Sequence, residues 1–363
     1  MLLIRTDANK QVGLGHLTRC LTIAEAAKRA GIGTTFLLAD ETAVEILQER
    51  NMGYKVLHTD FADMESELPI LFKTIRKLTE KGEDAEKTED DKIALLVDSY
   101  RITVPYMKEL KEGLQRVCGG ELLLLEDHGD PSYPADTVIN YHIYGPDFSY
   151  EKNGSRALQG CRYMPLRKEF IMQPYRIREK FRSVLITTGG TDPYRIAPEL
   201  AKRLGKEKGM TLHIVCGRFS ESRTELLAME KRCGNMKVYS DVRHMWELMA
   251  DCDAAVSAAG TTLYELCAMG IPTVCFSFAS NQILPGKTFG EKTAMEYAGD
   301  YQKDKEAMYK RIEERIRGLM GMSKEEREKI GENLRGITDG MGAERIVEAV
   351  FKEAAHEGEG NKL

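Results

Sequence analysis

Short apolar runs alternate with amphipathic segments along most of the chain. In the first half the predicted strands are Leu2–Ile4, Thr34–Leu38, Lys55–His58, Ala94–Val97, Glu121–Leu125 and Thr137–Ile139. In the second half they are Val184–Thr188, Leu212–Cys216, Lys237–Tyr239, Ala254–Ser257 and Thr273–Phe276. Runs this short, without a clean in–out alternation, fit strands buried on both faces of a parallel sheet. Helical periods lie between them. After His16, residues Leu17, Leu21, Ala24 and Ala27 recur at helical spacing, and Gly31 stands where a C-capping glycine belongs. The β-α-β-α pattern occurs in both halves, which predicts two doubly wound α/β domains. The boundary is expected within 163–182, a charged stretch holding Pro165 and Pro174. The expected division is 1–165, then 180–345, with 346–363 as a helical or frayed tail. Residues 79–92, TEKGEDAEKTEDDK, read as a solvated loop or helix end.

Charge and cysteine usage narrow the function classes. The 363 residues carry 52 Lys+Arg against 57 Asp+Glu, a formal net charge of −5. Phosphate-backbone binding needs clustered Lys and Arg, so nucleic acid is not expected as the main partner. No run reaches the ~18 apolar residues of a membrane span. The start, Met-Leu-Leu-Ile-Arg-Thr-Asp, lacks the pattern of a secretory signal, so a cytoplasmic location is expected. The cysteines Cys20, Cys118, Cys161, Cys216, Cys233, Cys252, Cys267 and Cys275 form no C-x-x-C pair and read as buried, reduced thiols. No pattern in the chain specifies an oligomeric state.

Three strand-to-helix turns carry candidate chemistry. The first is Arg5-Thr-Asp7 through Gly13-Leu-Gly15-His16 to Arg19-Cys20. Gly13 and Gly15 permit a sharp turn with backbone N–H groups close to a ligand. The dinucleotide fingerprint is absent, because the third glycine is missing and a histidine opens the helix. Such turns lie at the carboxyl edge of an open sheet, where α/β folds bind ligands. His16 suits general-base work near neutral pH; its alternative role is to cap the helix or bond a loop carbonyl. The second turn is Thr187-Thr188-Gly189-Gly190-Thr191-Asp192-Pro193, a phosphate or sugar seat or else a plain connection. The third runs from Ser257 through Gly260-Thr261-Thr262 to Glu265 and Gly270. Its amides and hydroxyls suit a diphosphate. Glu265 lies one helical turn beyond Thr261 on the same face, where a carboxylate can accept from a ribose diol; the alternative is an ordinary solvent-facing residue. Asn281 and Gln282 follow the next strand at the same edge. His128 could line a cleft, whereas His58, His142, His213, His244 and His356 read as structural or exposed. No histidine pair has metal-ligand spacing, so neither metal nor cofactor is expected.

Taken in order, these residues resemble the PseG/SpsG family, whose type member is the UDP-sugar hydrolase of pseudaminic acid biosynthesis. The family opening R-x-D-x(5)-G-x-G-H-x-x-R is matched by Arg5, Asp7, Gly13, Gly15, His16 and Arg19. Further similar stretches are LLVDSY around Asp98 and Tyr100, LLEDHG around Asp127, and Tyr163-x-x-x-Arg167-x-Glu169-Phe170. The Gly189–Asp192 turn, the Ser257–Glu265 segment and Asn281-Gln282 complete a likeness over roughly residues 1–295. It implies the GT-B architecture, two Rossmann-like domains facing across a cleft, similar to the MurG glycosyltransferases. It further implies UDP on the C-terminal domain, and the sugar with catalytic His16 on the N-terminal one. The implied substrate is UDP-2,4-diacetamido-2,4,6-trideoxy-β-L-altropyranose. By the same resemblance, Gly13, Gly260 and Thr261 contact the diphosphate, Glu265 the ribose, and Asn281 and Gln282 phosphate or sugar. Arg5 and Asp7 orient the site, Asp98 and Tyr100 touch the sugar, and Gly15, Arg19, Gly190, Thr191 and Ser257 join the substrate-binding set. The charged stretch 79–92 and the helical end after about 303 lie outside the family pattern. Two other readings share this fold: a glycosyltransferase using the same donor, and a nucleotide-sugar-binding protein without turnover.

Overall fold

The computed structural model describes residues 1–9, 12–80, 92–130, 132–171, 173, 177–217, 220–240, 242 and 244–352. Nearly all of the charged stretch at 79–92, and the tail beyond His356, lie outside the described residues. The chain divides into two compact units, Leu166–Gly340 forming the second and the residues on either side of it the first.

In the first unit β1 (Leu2–Thr6), α1 (Gly15–Arg29), β2 (Thr34–Leu38), α2 (Val44–Glu49) and β3 (Gly53–Val56) are followed by α3 (Met64–Thr79), β4 (Ala94–Asp98) and α4 (Val104–Cys118). Then come β5 (Glu121–Leu125), β6 (Thr137–Asn140) and β7 (Arg156–Gln159). The strands form one parallel sheet in the order β3-β2-β1-β4-β5-β6-β7. Strands β1 and β4 are buried along their whole length, which accounts for their unbroken apolar runs. Leu3, Leu95, Val97, Leu122 and Leu124 on one face pack with Leu68 and Leu71 of α3 and Leu110 and Leu114 of α4. The strand order reverses between β1 and β4. Crossovers leave these neighbours in opposite directions, so a crevice opens at their carboxyl ends.

The second unit repeats this plan. Its elements are β8 (Ser183–Thr187), α5 (Ile196–Leu204), β9 (Thr211–Cys216), α6 (Arg223–Glu230), β10 (Met236–Ser240) and α7 (Met245–Ala250). They continue as β11 (Ala254–Ala258), α8 (Thr262–Met269), β12 (Thr273–Ser277), α9 (Ser280–Lys292), β13 (Glu296–Asp300), α10 (Tyr301–Gly321) and α11 (Lys324–Arg335). The sheet is again parallel, β10-β9-β8-β11-β12-β13, with its reversal between β8 and β11. Helix α10 and α5 cover a core of Val184, Ile186, Leu212, Val256, Val274, Ile312 and Ile316.

The expected boundary near 345 differs from the observed one. The chain returns to the first unit at Met341, and α12 (Gly342–Phe351) lies against α1. Ala343, Ile346, Val347 and Val350 form its buried stripe, Arg29 of α1 pairs with Glu344 at 2.6 Å, and Arg156 donates to the Ala349 carbonyl. Only glycine fits at 342, since a Cβ there would stand 2.2 Å from the Met164 carbonyl oxygen. None of the eight cysteines forms a disulfide; Cys20, Cys216, Cys252, Cys267 and Cys275 are buried.

Candidate active site

The carboxyl end of β1 turns into α1 through a loop closed by its own backbone. Gly13 donates to the Asn9 carbonyl at 2.8 Å with φ +74°, a left-handed conformation suited to glycine, and Asn9 Oδ1 accepts from Val12 N. Gly15 is exposed, and a Cβ on it would meet nothing within 4 Å, so the backbone here is open to a ligand. The next residue, His16, turns inward and is 5% exposed.

His16 meets Asp98, the last residue of β4, across the reversal point. Its Nδ1 lies 2.6 Å from Asp98 Oδ1. An ionised carboxylate only accepts, so Nδ1 carries the proton and the Nε2 lone pair is left to act. Among the described residues no protein group hydrogen-bonds Nε2. Arg19, one turn along α1, donates Nε to Asp98 Oδ2 at 2.6 Å and Nη1 to both Asp127 oxygens at 2.9 and 2.7 Å. Nη1 also reaches the Tyr141 hydroxyl. Asp127 accepts from the Tyr100 hydroxyl at 2.8 Å and stands 3.1 Å from His142 Nε2. One guanidinium thus faces two buried carboxylates flanked by two imidazoles.

The electrostatics follow from that packing. Burial by itself would raise the Asp98 carboxyl; Arg19 first and His16 second outweigh it and bring it down to about 2. Asp127 is likewise held well below the usual carboxylate range, Arg19 and His142 overcoming burial. Arg19 stays protonated because Asp127 and Asp98 outweigh its desolvation. Burial and the Asp127 carboxylate push the Tyr100 phenol upward, so it serves as a donor. Tyr100 is 43% exposed and stands edge-on to His16, centroids 4.3 Å apart, with the His128 ring centroid 4.9 Å from its own.

Several expected contacts take other roles. Asp98, expected at the sugar, is 1% exposed with both oxygens engaged, so it orients His16 and Arg19. Arg5, expected in the substrate-binding set, is fully buried. Its Nε and Nη2 bond Glu67 of α3 at 2.8 and 2.7 Å, and Nη1 bonds Asp7 at 2.6 Å. Asp7 accepts from Ala39 N at 2.9 Å. This pair fixes the loop from beneath. Asp127 lay in a matched stretch but not among the expected contacts. His142, read as structural or exposed, is buried against the cluster and stacked on Tyr144.

In the second unit the candidate anion seat is at α8 and α9, not α5. At the Gly189–Asp192 turn the buried Asp192 carboxylate accepts from Ile196 N at 2.8 Å and Ala197 N at 3.0 Å. It therefore fills the α5 N-terminus that a phosphate would need. Gly190 is exposed and Thr191 half-buried beside it. Helices α8 and α9, after neighbouring strands β11 and β12, have no side-chain cap at their N-termini. Gly260 is exposed with open space where a Cβ would be, and Thr261 and Asn281 stand at these two helix starts. Ser257 is 1% exposed and donates to the Ala258 carbonyl, while Gln282 Oε1 accepts from Phe278 N, so both shape the turns. Glu265 is half-buried, with Oε1 accepting from Arg167 Nε and Nη2 at 3.1 and 2.8 Å.

No family model matches the chain. It is 29% identical over 290 residues to the pseudaminic acid cytidylyltransferase and UDP-2,4-diacetamido-2,4,6-trideoxy-beta-L-altropyranose hydrolase of Helicobacter pylori, covering 76% of this chain and 44% of that one. It is 25% identical over 298 residues to the spore coat polysaccharide biosynthesis protein SpsG of Bacillus subtilis, covering 80% and 81%. Over 286 residues it is 23% identical to the UDP-2,4-diacetamido-2,4,6-trideoxy-beta-L-altropyranose hydrolase of Campylobacter jejuni, covering 77% and 93%. The chain is PseG/SpsG-like. It spans about half the length of an uncharacterized Methanocaldococcus jannaschii protein to which it is 24% identical, covering 75% of this chain and 54% of that one. Among solved structures, MurG of Acinetobacter baumannii aligns with a TM-score of 0.67 at 12% identity, covering 96% of this chain and 99% of that one. The PseG/SpsG-like chain thus has the GT-B fold of two parallel-sheet α/β domains. No described helix is long and apolar enough to cross a membrane.

Proposed function

We propose that the chain hydrolyses a UDP-linked 2,4-diacetamido-2,4,6-trideoxy-hexose to the free sugar and UDP, in nonulosonate biosynthesis. The observation that carries this reading is the His16 imidazole, pinned at Nδ1 by Asp98 and, among the described residues, unbonded at Nε2. Nε2 removes a proton from water as its oxygen attacks the anomeric carbon. The bond from C1 to the diphosphate oxygen breaks, its electron pair leaves with UDP, and the configuration inverts. A positioned base of this kind contributes about 10²–10⁴ in rate. The first unit supplies the base, with Tyr100 as a sugar contact beside it. The second supplies Gly260, Thr261 and Asn281 at the α8 and α9 N-termini, whose fixed dipoles stabilise the charge growing on the leaving diphosphate. Glu265 accepts from the ribose. The names of the Helicobacter and Campylobacter relatives support the substrate class.

The transferase fold favours one second reading, transfer of the same sugar to an acceptor hydroxyl. Purified protein incubated with the UDP-sugar and no acceptor separates the two. Stoichiometric UDP and free sugar are expected. UDP release that appears only on adding an acceptor would establish the transferase instead, and binding without release would leave a non-catalytic binding protein.

A further inference from the structure

The segment just after the unit boundary carries a cation whose place in the chemistry is otherwise unassigned. Arg167 lies two residues beyond Pro165, where the first stretch of the first unit ends. Its guanidinium sits 4.8 Å from the ring centroid of the buried Phe170, which fixes its plane. Two of its nitrogens converge on one oxygen of Glu265, and the third faces Glu169 at 2.8 Å. The Glu265 side chain is only 13% exposed, and no protein group among the described residues bonds its Oε2. One oxygen is therefore locked, and the other is left without a partner among the described residues.

We infer that Arg167 is the positioning residue that makes Glu265 select a ribose: it holds the carboxylate in one rotamer with Oε2 presented as an acceptor. This rests on the proposed UDP reading of the second unit. The physical need for it is plain. A carboxylate on a side chain with three rotatable χ angles loses entropy on binding a diol, and a partner that fixes it beforehand removes that cost. Arg does this better than Lys, because its planar fork places two N–H groups on one acceptor. Charge matters as well as direction. Burial raises the Glu265 carboxyl, Arg167 opposes that rise, and Glu169 adds to it. Without Arg167 the carboxyl takes up a proton more readily, and a protonated Glu265 is a poorer acceptor for a sugar hydroxyl. A ligand lacking the ribose hydroxyl makes no use of Oε2, so Arg167 acts on the preference between ribose and deoxyribose and not on diphosphate binding itself.

Calorimetric titration of the 363-residue chain with UDP and with 2′-deoxy-UDP tests this. The wild type is expected to prefer UDP by about tenfold, the worth of one hydrogen bond to a charged acceptor. Arg167→Met is expected to bind 2′-deoxy-UDP as the wild type does, which also reports that the variant is folded, while its preference falls to near one. That preference should recover as the pH is raised, because burial raises the Glu265 carboxyl and alkali ionises it. Arg167→Lys should lie between the two, and in turnover Arg167→Met should raise KM with kcat nearly unchanged. A preference kept in both variants, or equal loss of both ligands in both variants, overturns the inference. A wild type that binds UDP without preferring it over 2′-deoxy-UDP refutes the ribose role of Glu265 and the inference with it. A wild type that binds neither refutes the UDP reading itself.

Discussion

Replacing His16 by alanine is expected to lower kcat by about 10²–10⁴ while KM changes little. The imidazole stands at the β1–β4 crevice with Nε2 unbonded among the described residues, and it is held there by a short contact to Asp98, with Arg19 Nη2 3.1 Å from the same nitrogen, Nδ1. Truncation leaves Asp98 still bonded to Arg19, so the cluster keeps its main ion pairs. Asp98→Asn should reach a loss of similar order by a different route. An asparagine amide that turns its NH2 toward Nδ1 forces the imidazole proton onto Nε2, which removes the base. Steady-state rates normalised to folded protein are the appropriate measurement, because Asp98→Asn also takes a charge from Arg19. Wild-type kcat in His16→Ala would show that the imidazole does no proton transfer. Wild-type kcat in Asp98→Asn would show that the carboxylate does not set the tautomer.

Arg19→Met is expected to destabilise the first unit by about 3–5 kcal/mol at neutral pH, because it strands two buried carboxylates. Asp98 is 1% exposed and Asp127 8%, so neither finds much solvent when the guanidinium is gone. The pH dependence carries a sign. In the wild type both carboxyls are depressed by Arg19, so their contribution is present above about pH 4. It is lost as the pH falls toward about 2, where Asp98 titrates. In Arg19→Met the same groups are pushed upward by burial, and protonation relieves them. Urea unfolding at pH 7 and again near pH 5 should therefore show the gap between wild type and variant narrowing in acid. A gap that is constant, or that widens toward acid, would mean that other groups hold the cluster together.

Where the chain was readable, the reason is burial. Strands such as Leu2–Thr6 and Thr273–Ser277 are sealed on both faces, so their apolar runs announce them. The two strands that went unpredicted, Arg156–Gln159 and Glu296–Asp300, close the sheets at one edge and are largely half-exposed, so they carry polar residues and no run. The third strand lies at Gly53–Val56, two residues before the expected Lys55–His58, because this edge strand has no fully buried position to set its phase. At the site, His16 and Arg19 were legible because a glycine turn and a helix bring them together locally. Their pairing was not: Asp98 reads as a sugar contact and Asp127 only as part of a matched stretch. Asp98 and Asp127 lie 82 and 111 residues beyond His16, and only the order of the sheet places β4 beside β1 and β5 next to β4. Arg5, expected both to orient the site and to join the substrate-binding set, does only the first: it is sealed under the loop by Glu67. The Asp192 cap belongs to the same class, because a Gly-Gly-Thr-Asp turn looks alike whether its amides await a phosphate or already hold a carboxylate.

The central claim is that water, deprotonated by His16, attacks the sugar carbon. Hydrolysis of the UDP-sugar in ¹⁸O-water, followed by mass spectrometry of both products, tests it directly. The label is predicted on the anomeric hydroxyl of the free sugar, with UDP unlabelled. Label in the terminal phosphate of UDP would place the attack at phosphorus and contradict the account.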